Sequence, residues 1–589
     1  MTFARTGGAI ASPNPYAPLE SATDRSASLA GVYSTIPNHF HPVLHIGQRH
    51  AKLRWVAAIV AVCGLVCVAV GVLAVVLLQP ANNGHKDIVN NLQSTPGLKV
   101  TLHFKRASLQ PYGHDHATIF VAPRQPLRAR VGVTRFLFDA IMTIEASPTQ
   151  SDVYTLVDTK GYYSQVVNGT TTAVHCIDPS QLPSISQMES SLEQSRIVDA
   201  VAGTADMSEK CTGGTLLSLT FAGEAFVFCN SAGNHLQHAV GQDLNISIEY
   251  LSDPSQLPDI QVPTPPNAAA LDCAPTSLAM PTDDAANTPR SPLLRAMELV
   301  FGDDRVVTMS KPSCECKGPK KPCLFVHGLG ESNAGPATVS FPSYWGDVSS
   351  PCCLSTTFVH FDTTTQGWND LSLQKQFCNA AAAASKTALP NAIGSLILVT
   401  HSMGNMLASG ALASKVCSFS TSVTWVSLAS PQQGSQAANL LQQKCAGGGW
   451  TSWMLAPLTW IGYCPPARAY YSVQHESTVN ADKQAEFAAA QRARQQFATH
   501  VACGVSGWGL HSNYSVPLAI VDEWANHSSD SDGLVDYNSC TVGLNKDDFG
   551  GTSSKHYVGP LNHADLTFRT GDGWWGDNRK PLKWFQCLL

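Results

Sequence analysis

Residues 396–405, Leu-Ile-Leu-Val-Thr-His-Ser-Met-Gly-Asn, constrain the fold of this chain more than any other segment. An apolar, β-branched run ends in a turn of small residues that contains Ser402, and a helix-prone segment, residues 406–413, follows at once. This pattern predicts a strand, a sharp turn and a helix, with the serine exposed above the end of a parallel sheet. Thr400 stands where such a turn usually has its first glycine, so T-x-S-x-G is weak by itself and its interpretation depends on other segments.

Three further segments occur in an order that gives the serine its chemistry. Residues 323–330 read as a strand that runs into His-Gly-Leu-Gly, a loop that can aim a backbone N–H at a carbonyl oxygen, and Met403 supplies a second N–H. Asp532 follows in Asp-Gly-Leu-Val, and His563 follows in Asn-His. A serine hydroxyl becomes a nucleophile when a histidine removes its proton, and a carboxylate fixes the tautomer of that histidine.

With these residues, the chain resembles the lipase branch of the α/β-hydrolase superfamily. The resemblance covers roughly residues 300–589 and includes the Leu-Ala-Ser-Pro segment at 428–431. It implies an α/β-hydrolase fold, in which a mostly parallel sheet carries helices on both faces. It also implies Ser402 as nucleophile, His563 as general base and then acid, Asp532 as the orienting carboxylate, and Leu329 and Met403 as the donors of the oxyanion hole.

Other side chains compete for two of these roles. Asp530 and Asp536 lie close to Asp532 in the sequence, but the Asp-Gly-Leu-Val pattern favours Asp532. His563 competes with His511, His527 and His556, and its Asn-His context near the C-terminus favours it. His401, which precedes the nucleophile, is interpreted as a packing or hydrogen-bonding residue.

An uncharged apolar run at residues 55–78 predicts a transmembrane helix. As a helix it would be about 36 Å long, enough to cross a bilayer. Arg49, Lys52 and Arg54 precede it, so the positive-inside rule places residues 1–54, a Ser-, Pro- and Gly-rich tail predicted to be disordered, in the cytosol. The sequence predicts a single-pass protein of the secretory pathway or cell surface, with its catalytic part lumenal or extracellular and its own helix as membrane anchor.

The cysteines and glycosylation sequons agree with this topology. Two of the 18 cysteines, Cys63 and Cys67, lie in the apolar run, and the remaining 16 can all pair as disulfides in an oxidising compartment. The clustered cysteines at 314–323 and 352–353 superficially suggest zinc, but the lumenal setting favours disulfides. Four N-glycosylation sequons fall on the non-cytosolic side, at Asn168, Asn245, Asn513 and Asn526.

Two more regions precede the hydrolase-like part. Residues 79–251 contain short β-prone runs separated by turn residues and predict a β-rich domain, an open barrel or a sandwich. Residues 163–183 and 221–229 are faintly similar to ependymin-like extracellular domains, whose curved sheets can hold a lipid; the alternative is a spacer or adhesion module. Residues 252–292 are rich in proline and predict an interdomain linker, so that the α/β-hydrolase domain spans residues 293–589.

Within the hydrolase-like part, residues 437–504 predict a cap or lid, because tryptophans at 450–460 precede a polar helical stretch. The same tryptophans could instead form the core of a small subdomain held by Cys445 and Cys464. Asn562-His-Ala-Asp resembles the sequence near the catalytic histidine of some bacterial lipases, which makes Asp565 a candidate calcium ligand. No other cofactor is expected.

These features together predict a membrane-anchored serine hydrolase acting on carboxylic esters, with a lipid or acyl ester as substrate. The alternatives are a deacylase or thioesterase on lipidated molecules, including glycosylphosphatidylinositol anchors, an acyltransferase, and a non-catalytic receptor that keeps the fold as a scaffold. The net charge of −6 gives no reason to expect nucleic acid as a partner.

Overall fold

A computed structural model describes residues 84–124, 137–182, 188–202, 207, 211–266, 271–275, 306–309, 313–386, 391–440 and 468–589. The predicted cytosolic tail (1–54) and the predicted transmembrane helix (55–78) lie outside these ranges. In the ranges that are described, no helix has both the length and the apolar character needed to span a bilayer. Residues Gln79–Leu589 form one compact unit.

The N-terminal half of this unit is an antiparallel sheet of 11 strands in the order β6-β5-β4-β3-β2-β1-β12-β11-β10-β9-β7. This confirms the predicted β-rich region and shows a single continuous sheet instead of a sandwich. Two-residue turns at 158–159, 168–169 and 222–223 have both residues at positive φ, the turn type whose twist matches antiparallel hairpins. The strands are β1 Gly97–Phe104, β2 His116–Arg124, β3 Leu137–Ser147, β4 Gln150–Val157, β5 Lys160–Val167, β6 Thr170–Ile177, β7 Arg196–Val198, β9 Thr215–Phe221, β10 Glu224–Asn230, β11 Leu236–Gly241 and β12 Leu244–Leu251.

Two helices cover the apolar face of this sheet. Helix α1 (Gly84–Ser94) buries Ile88, Val89 and Leu92, and α2 is Met188–Glu193. They pack with inward side chains of the sheet such as Phe104 and Phe228 in one apolar cluster. The short strand β8 (Ala200–Ala202) pairs in parallel with β13 (Val306–Thr308), which belongs to the sequence after the predicted linker.

The C-terminal half contains a second sheet, of eight strands in the order β15-β16-β14-β18-β20-β21-β23-β22. All neighbouring pairs are parallel except β15 with β16, so the predicted mostly parallel sheet is confirmed. The strands are β14 Lys321–Val326, β15 Gly335–Thr338, β16 Cys353–His360, β18 Leu396–His401, β20 Val423–Leu428, β21 Ala498–Gly504, β22 Phe549–Gly550 and β23 His556–Gly559; β17 Ala392–Ile393 and β19 Ser418–Phe419 form a separate pair.

Helices cover both faces of the parallel sheet, because alternate residues of its central strands are buried on opposite sides. Leu324, Leu398 and Trp425 belong to one apolar cluster, whereas Phe325 and Val399 belong to another. The first cluster includes residues of α4, α5 and α6, and the second includes residues of α3 and α9. The helices are α3 Pro342–Trp345, α4 Leu371–Ser385, α5 Met403–Ala413, α6 Ala481–Phe497, α7 Ser515–Trp524, α8 Tyr537–Thr541 and α9 Pro581–Leu588.

The predicted cap at 437–504 needs correction at its C-terminal end. Its polar helical stretch is α6, which buries Phe487, Ala490 and Ala493 with side chains of α4 and α5, and residues 498–504 are the central strand β21. Residues 481–504 are therefore part of the body of the fold. Of the four buried residues of α6 only Phe487 is a large apolar side chain, since the others are Ala490, Ala493 and Arg494, so the sequence of this helix does not mark it as core. The tryptophan-containing residues, 441–467, lie outside the described ranges.

Buried charges join the two halves. The carboxylate of Asp243, beside β12, lies 2.6 Å from Lys580 Nζ and 2.7 Å from Lys583 Nζ of α9, and all three side chains are at most 7% exposed. Lys580 also pairs with Glu224 of β10. Burial alone would raise the pKa of Asp243, but the two lysines outweigh it and hold the pKa below its usual value. A second, partly buried contact links Ser108 Oγ to Asp572 Oδ2 at 2.6 Å.

Cysteines of the described ranges form seven disulfides, which indicates an oxidising compartment. The clustered cysteines that superficially suggested zinc are all paired, so the prediction of disulfides is confirmed there. Cys273, in the predicted linker, is bonded to β6. The pairs are Cys176–Cys273, Cys211–Cys229, Cys314–Cys587, Cys316–Cys352, Cys323–Cys353, Cys378–Cys417 and Cys503–Cys540.

The four predicted glycosylation sites differ in accessibility. Asn168, Asn513 and Asn526 are exposed, as acceptors of a bulky glycan should be. Asn245 is half-buried within β12, and its Oδ1 is buried without a hydrogen-bond partner among the described groups. Modification stays a prediction at all four sites, and Asn245 is the least accessible of them.

Replacing Asp243, the carboxylate that Lys580 and Lys583 share, should distinguish the contribution of these buried charges from that of an ordinary surface ion pair. We expect Asp243→Asn to lower the free energy of unfolding by about 3–5 kcal/mol, because two buried ammonium groups lose their common partner. Glu249→Gln, which breaks the exposed Lys99–Glu249 pair at 3.5 Å, should cost less than about 1 kcal/mol. Urea unfolding of residues 79–589, followed by tryptophan fluorescence, measures both. Equal losses of unfolding free energy for the two variants would contradict the conclusion that the buried charges stabilise the protein more than a surface ion pair does.

Candidate active site

Ser402 occupies a strained turn between β18 and α5. Its backbone has φ 53° and ψ −129°, in a region that non-glycine residues rarely adopt, and its N–H donates to Leu428 O at 3.0 Å. The following turn passes so close to β14 that a Cβ on Gly404 would lie 2.6 Å from His327 O. Only glycine fits there, and the tight turn leaves the Ser402 side chain partly exposed at the C-terminal end of the sheet.

The structure brings Ser402, His563 and Asp532 together in one hydrogen-bonded line. His563 Nε2 lies 2.8 Å from Ser402 Oγ, and His563 Nδ1 lies 2.8 Å from Asp532 Oδ2. A carboxylate can only accept, so Nδ1 of the neutral ring carries the proton and Nε2 accepts from the serine hydroxyl. This is the arrangement in which a histidine can take the proton of a serine nucleophile.

Backbone groups hold Asp532 in place. Its Oδ1 accepts hydrogen bonds from the N–H groups of Leu534 at 3.0 Å and Val535 at 2.8 Å, which leaves Oδ2 for the histidine. The carboxylate is only 1% exposed. The loop follows β21 and α7, and the disulfide between Cys503 and Cys540 ties the end of β21 to α8 behind the loop.

Thr400 is accommodated without crowding the turn. Its fully buried hydroxyl accepts from the indole N–H of Trp425 at 2.7 Å and donates to Asn405 Oδ1. The Asn405 amide in turn donates to the carbonyls of Ser402 at 3.1 Å and Leu428 at 2.7 Å. The threonine therefore stabilises the turn through a side-chain network.

The His-Gly-Leu-Gly loop lies directly against Ser402. A Cβ on Gly328 would lie 2.6 Å from Ser402 Cβ and 3.2 Å from Ser402 Oγ. The Gly328 carbonyl accepts from Thr363 Oγ1 at 2.8 Å and from His327 Nδ1 at 2.9 Å. In a trans peptide the N–H points away from the preceding carbonyl, so these two bonds also fix the direction of the Leu329 N–H.

Two N–H groups remain available beside Ser402. Among the hydrogen bonds of the described residues, none uses the N–H of Leu329 or of Met403. Burial lowers the pKa of His327 to about 4, so its ring is neutral and can accept from Phe361 N–H at Nε2 while donating from Nδ1. The loop therefore holds its conformation without a ligand.

The competing histidines and carboxylates lie elsewhere. The ring of His511 lies 3.9 Å from that of Tyr163 in the antiparallel sheet, and His556 Nδ1 accepts from Val501 N–H. His527 Nδ1 pairs with Asp536 Oδ2 at 2.9 Å. His401 is a hydrogen-bonding residue, as interpreted from the sequence, with its Nε2 at 2.9 Å from the carbonyl of His563.

Asp565 has a structural environment. It is fully buried, and its Oδ2 accepts from the N–H groups of Leu510 at 2.7 Å and Asn562 at 2.9 Å. Burial raises its pKa to about 7, although those N–H groups oppose the shift. Over the described part of the chain, no cluster of three or more His, Cys, Asp or Glu side chains could hold a metal ion. Within the described residues, no second ligand therefore accompanies Asp565 at the calcium site suggested by the sequence.

Several residues around the site carried no sequence signal. Thr363 and Tyr344 lie in segments without a motif, although both contact Gly328. The guanidinium of Arg569 lies 4.8 Å from the ring centre of Tyr344. Their importance follows from hydrogen bonds between segments far apart in sequence, which spacing alone does not reveal.

Comparisons with known proteins give only partial structural likeness. No family model matches the chain, and no curated protein matches it. Solved structures with partial similarity include a metagenomic carboxyl esterase (15% identity, 47% of this chain and 76% of that chain, TM-score 0.28), the lipase of Staphylococcus hyicus (11%, 46% and 94%, 0.25) and LprF from Mycobacterium bovis (11%, 31% and 98%, 0.18). Likeness at these TM-scores supports no conclusion about activity, so the function is inferred from the geometry of the site.

The raised pKa of Asp565 has a consequence for the pH dependence of stability. Between about pH 4 and pH 7 the folded protein keeps a proton that the unfolded chain has lost, so this residue makes stability fall as pH rises. Asp565→Asn removes the ionisation and keeps an oxygen acceptor. We expect its unfolding free energy, relative to the unsubstituted protein, to rise by up to about 4 kcal/mol across that range.

Denaturant unfolding at half-unit pH steps checks this prediction. Glu523→Gln, at an exposed position on α7, is measured in parallel as a control for the loss of a surface carboxyl group. An Asp565→Asn difference that changes with pH no more than that of this control would contradict the prediction.

Proposed function

We propose that this protein is a serine hydrolase of the α/β-hydrolase type that cleaves carboxylic esters through an acyl-enzyme on Ser402. The observation that carries the proposal is the Ser402–His563–Asp532 line at the C-terminal edge of a parallel sheet, with two available N–H groups beside it. In this proposal Ser402 is the nucleophile, His563 the general base and then acid, and Asp532 the group that orients the imidazole.

Acylation begins when Ser402 Oγ attacks the carbonyl carbon of the ester and its proton passes to His563 Nε2. The carbonyl oxygen becomes negatively charged and accepts hydrogen bonds from the Leu329 and Met403 N–H groups. The intermediate then expels the alkoxide, which takes the proton from His563 and leaves as an alcohol. Asp532 stabilises the imidazolium between these steps.

Deacylation repeats the sequence with water. His563 removes a proton from the water as it attacks the acyl-enzyme, and the intermediate collapses to release the carboxylic acid and restore the Ser402 hydroxyl. An alcohol in place of water would make the same chemistry an acyl transfer.

We propose lipid acyl esters as the substrate class. The support comes from the sequence, where a predicted membrane span at 55–78 would hold the catalytic unit near a bilayer and the tryptophan-containing residues 450–460 would provide an apolar cap. The seven disulfides support a lumenal or extracellular catalytic unit. A deacylase or thioesterase of lipidated molecules uses the same residues. The hydrogen-bonded line from Ser402 to Asp532 disfavours the non-catalytic receptor.

Labelling with a fluorophosphonate tests the proposal. Residues 79–589, a single compact unit, should be labelled and should hydrolyse p-nitrophenyl esters. Ser402→Ala should lose the label and lower kcat by about 10⁶-fold, as removal of such a nucleophile does in other serine hydrolases. Ser409→Ala, at a buried serine on the same helix whose Oγ bonds Asn405 O at 2.8 Å, is the control and should keep both activities.

The dependence on ester chain length then distinguishes the substrate classes. A rise in kcat/KM from acetyl to dodecanoyl esters would support lipid substrates, whereas a preference for short acyl groups would indicate a general esterase. A folded protein that neither labels nor turns over would leave the receptor alternative.

A further inference from the structure

A chain of hydrogen bonds runs behind the site from the Gly328 loop to the backbone of the catalytic histidine. Gly328 N–H donates to Tyr344 Oη at 2.7 Å. Tyr344 Oη lies 2.7 Å from His401 Nδ1, and His401 Nε2 lies 2.9 Å from the carbonyl of His563. Tyr344 and His401 are 8% and 2% exposed, so water cannot easily replace these contacts.

The protons in this chain can take only one arrangement. A carbonyl only accepts, so His401 Nε2 must carry a proton. Burial lowers the pKa of His401 well below its usual value, so the ring is neutral and Nδ1 is an acceptor. Burial also raises the pKa of Tyr344, so its hydroxyl keeps the proton that it donates to Nδ1. Every donor therefore has a defined acceptor.

We propose that Tyr344 and His401 are positioning residues, which hold the His-Gly-Leu-Gly loop and the backbone of His563 at a fixed separation around Ser402. This inference rests on the proposed serine-hydrolase function. The chain fixes the N–H of Gly328, and Thr363 and His327 fix its carbonyl, so both peptide groups of the glycine beside the nucleophile are held. Neither Tyr344 nor His401 touches the reacting atoms.

Loss of this chain of hydrogen bonds should destabilise the transition state more than the complex with the bound substrate. The oxyanion forms only after attack, and its stabilisation requires donors that are already in place. A displacement of about 1 Å in such a site can lower the rate by about 100-fold. Loss of the chain should therefore lower kcat and leave KM nearly unchanged.

Arg569 provides a matched control for the tyrosine. Its guanidinium lies 4.8 Å from the ring centre of Tyr344 and 4.9 Å from that of Tyr514, and its Nη1 donates to Tyr514 Oη at 2.8 Å. Tyr344→Phe and Tyr514→Phe thus each remove one hydroxyl from a tyrosine packed on the same cation. Only the first hydroxyl bonds Gly328.

We expect Tyr344→Phe to lower kcat on p-nitrophenyl esters by about 10–100-fold, with KM changed less than twofold. The inhibition constant of an alkylboronic acid, whose adduct with Ser402 places an oxygen where the oxyanion forms, should rise by the same factor. Tyr514→Phe should keep both values within about twofold of the unsubstituted protein.

The glutamine variant of the histidine provides a second test that does not depend on Tyr344. His401→Gln keeps an amide N–H at the position of Nε2, which can still donate to the His563 carbonyl, and removes the acceptor for Tyr344. The decrease in kcat for His401→Gln should match the decrease for Tyr344→Phe. The double variant should show no larger decrease than either single variant, because both substitutions break the same chain of hydrogen bonds. Additive losses would mean that the two residues act separately.

The outcomes distinguish this inference from the proposed function on which it rests. If the unsubstituted protein is not labelled at Ser402, the proposed function fails. If it is labelled, and Tyr344→Phe and His401→Gln both match Tyr514→Phe in kcat and boronate affinity, the chain has no positioning role. Thermal unfolding identifies a variant that fails to fold, and the remaining variant then decides.

Discussion

The buried contact of Asp243 with Lys580 and Lys583 is the constraint on which the arrangement of the two halves depends. Three charges removed from water are tolerated only while they stay together, so α9 is held against the antiparallel sheet. His563, the proposed general base, lies 17 residues before Lys580. The intervening chain is also attached to the N-terminal half, because Asp572 contacts Ser108 and the Trp574 indole N–H donates to the carbonyl of Leu109. The antiparallel sheet thereby supports the segment that carries His563.

The turn at Ser402 depends on a different device. Its backbone strain is maintained because the Asn405 amide donates to the carbonyl of Ser402 and to that of Leu428 on the neighbouring strand β20, while the Thr400 hydroxyl donates to Asn405 Oδ1. A glycine at position 400 would offer space but no hydrogen bond, and the Trp425 indole would lose its acceptor. The departure from the usual pattern is thus one element of a local network that stabilises an unfavourable φ.

The sequence predicted features that are encoded within short segments. Four features of the site could be predicted because each lies in a compact pattern of strand and turn residues: the turn at Ser402, the loop at Gly328, and the positions of Asp532 and His563. The sequence assigns helix α6 to a cap because only one of its four buried residues, Phe487, is a large apolar side chain, and two alanines and an arginine give little hydrophobic periodicity. The roles of Tyr344, Lys580 and Lys583 could not be predicted. Tyr344 contacts His401, which is 57 residues away in the sequence, and both lysines contact Asp243, which is more than 300 residues away. Charged side chains are ordinarily expected at the surface, so no pattern marks those that will be buried.

The distribution of the disulfides has a consequence for the integrity of the chain. Among the described pairs, two lie entirely before residue 276 and five entirely after residue 305, so none of the seven bridges that interval. With these seven described disulfides, proteolytic cleavage between residues 276 and 305 would yield two polypeptides that separate on a denaturing gel even without reducing agent. Under native conditions the same two fragments would remain one particle, joined by the charges around Asp243 and by the pairing of β13 with β8. A two-chain form of this protein would therefore be one cleaved copy of the chain, and the sizes of its two bands on a denaturing gel would not report how many copies associate.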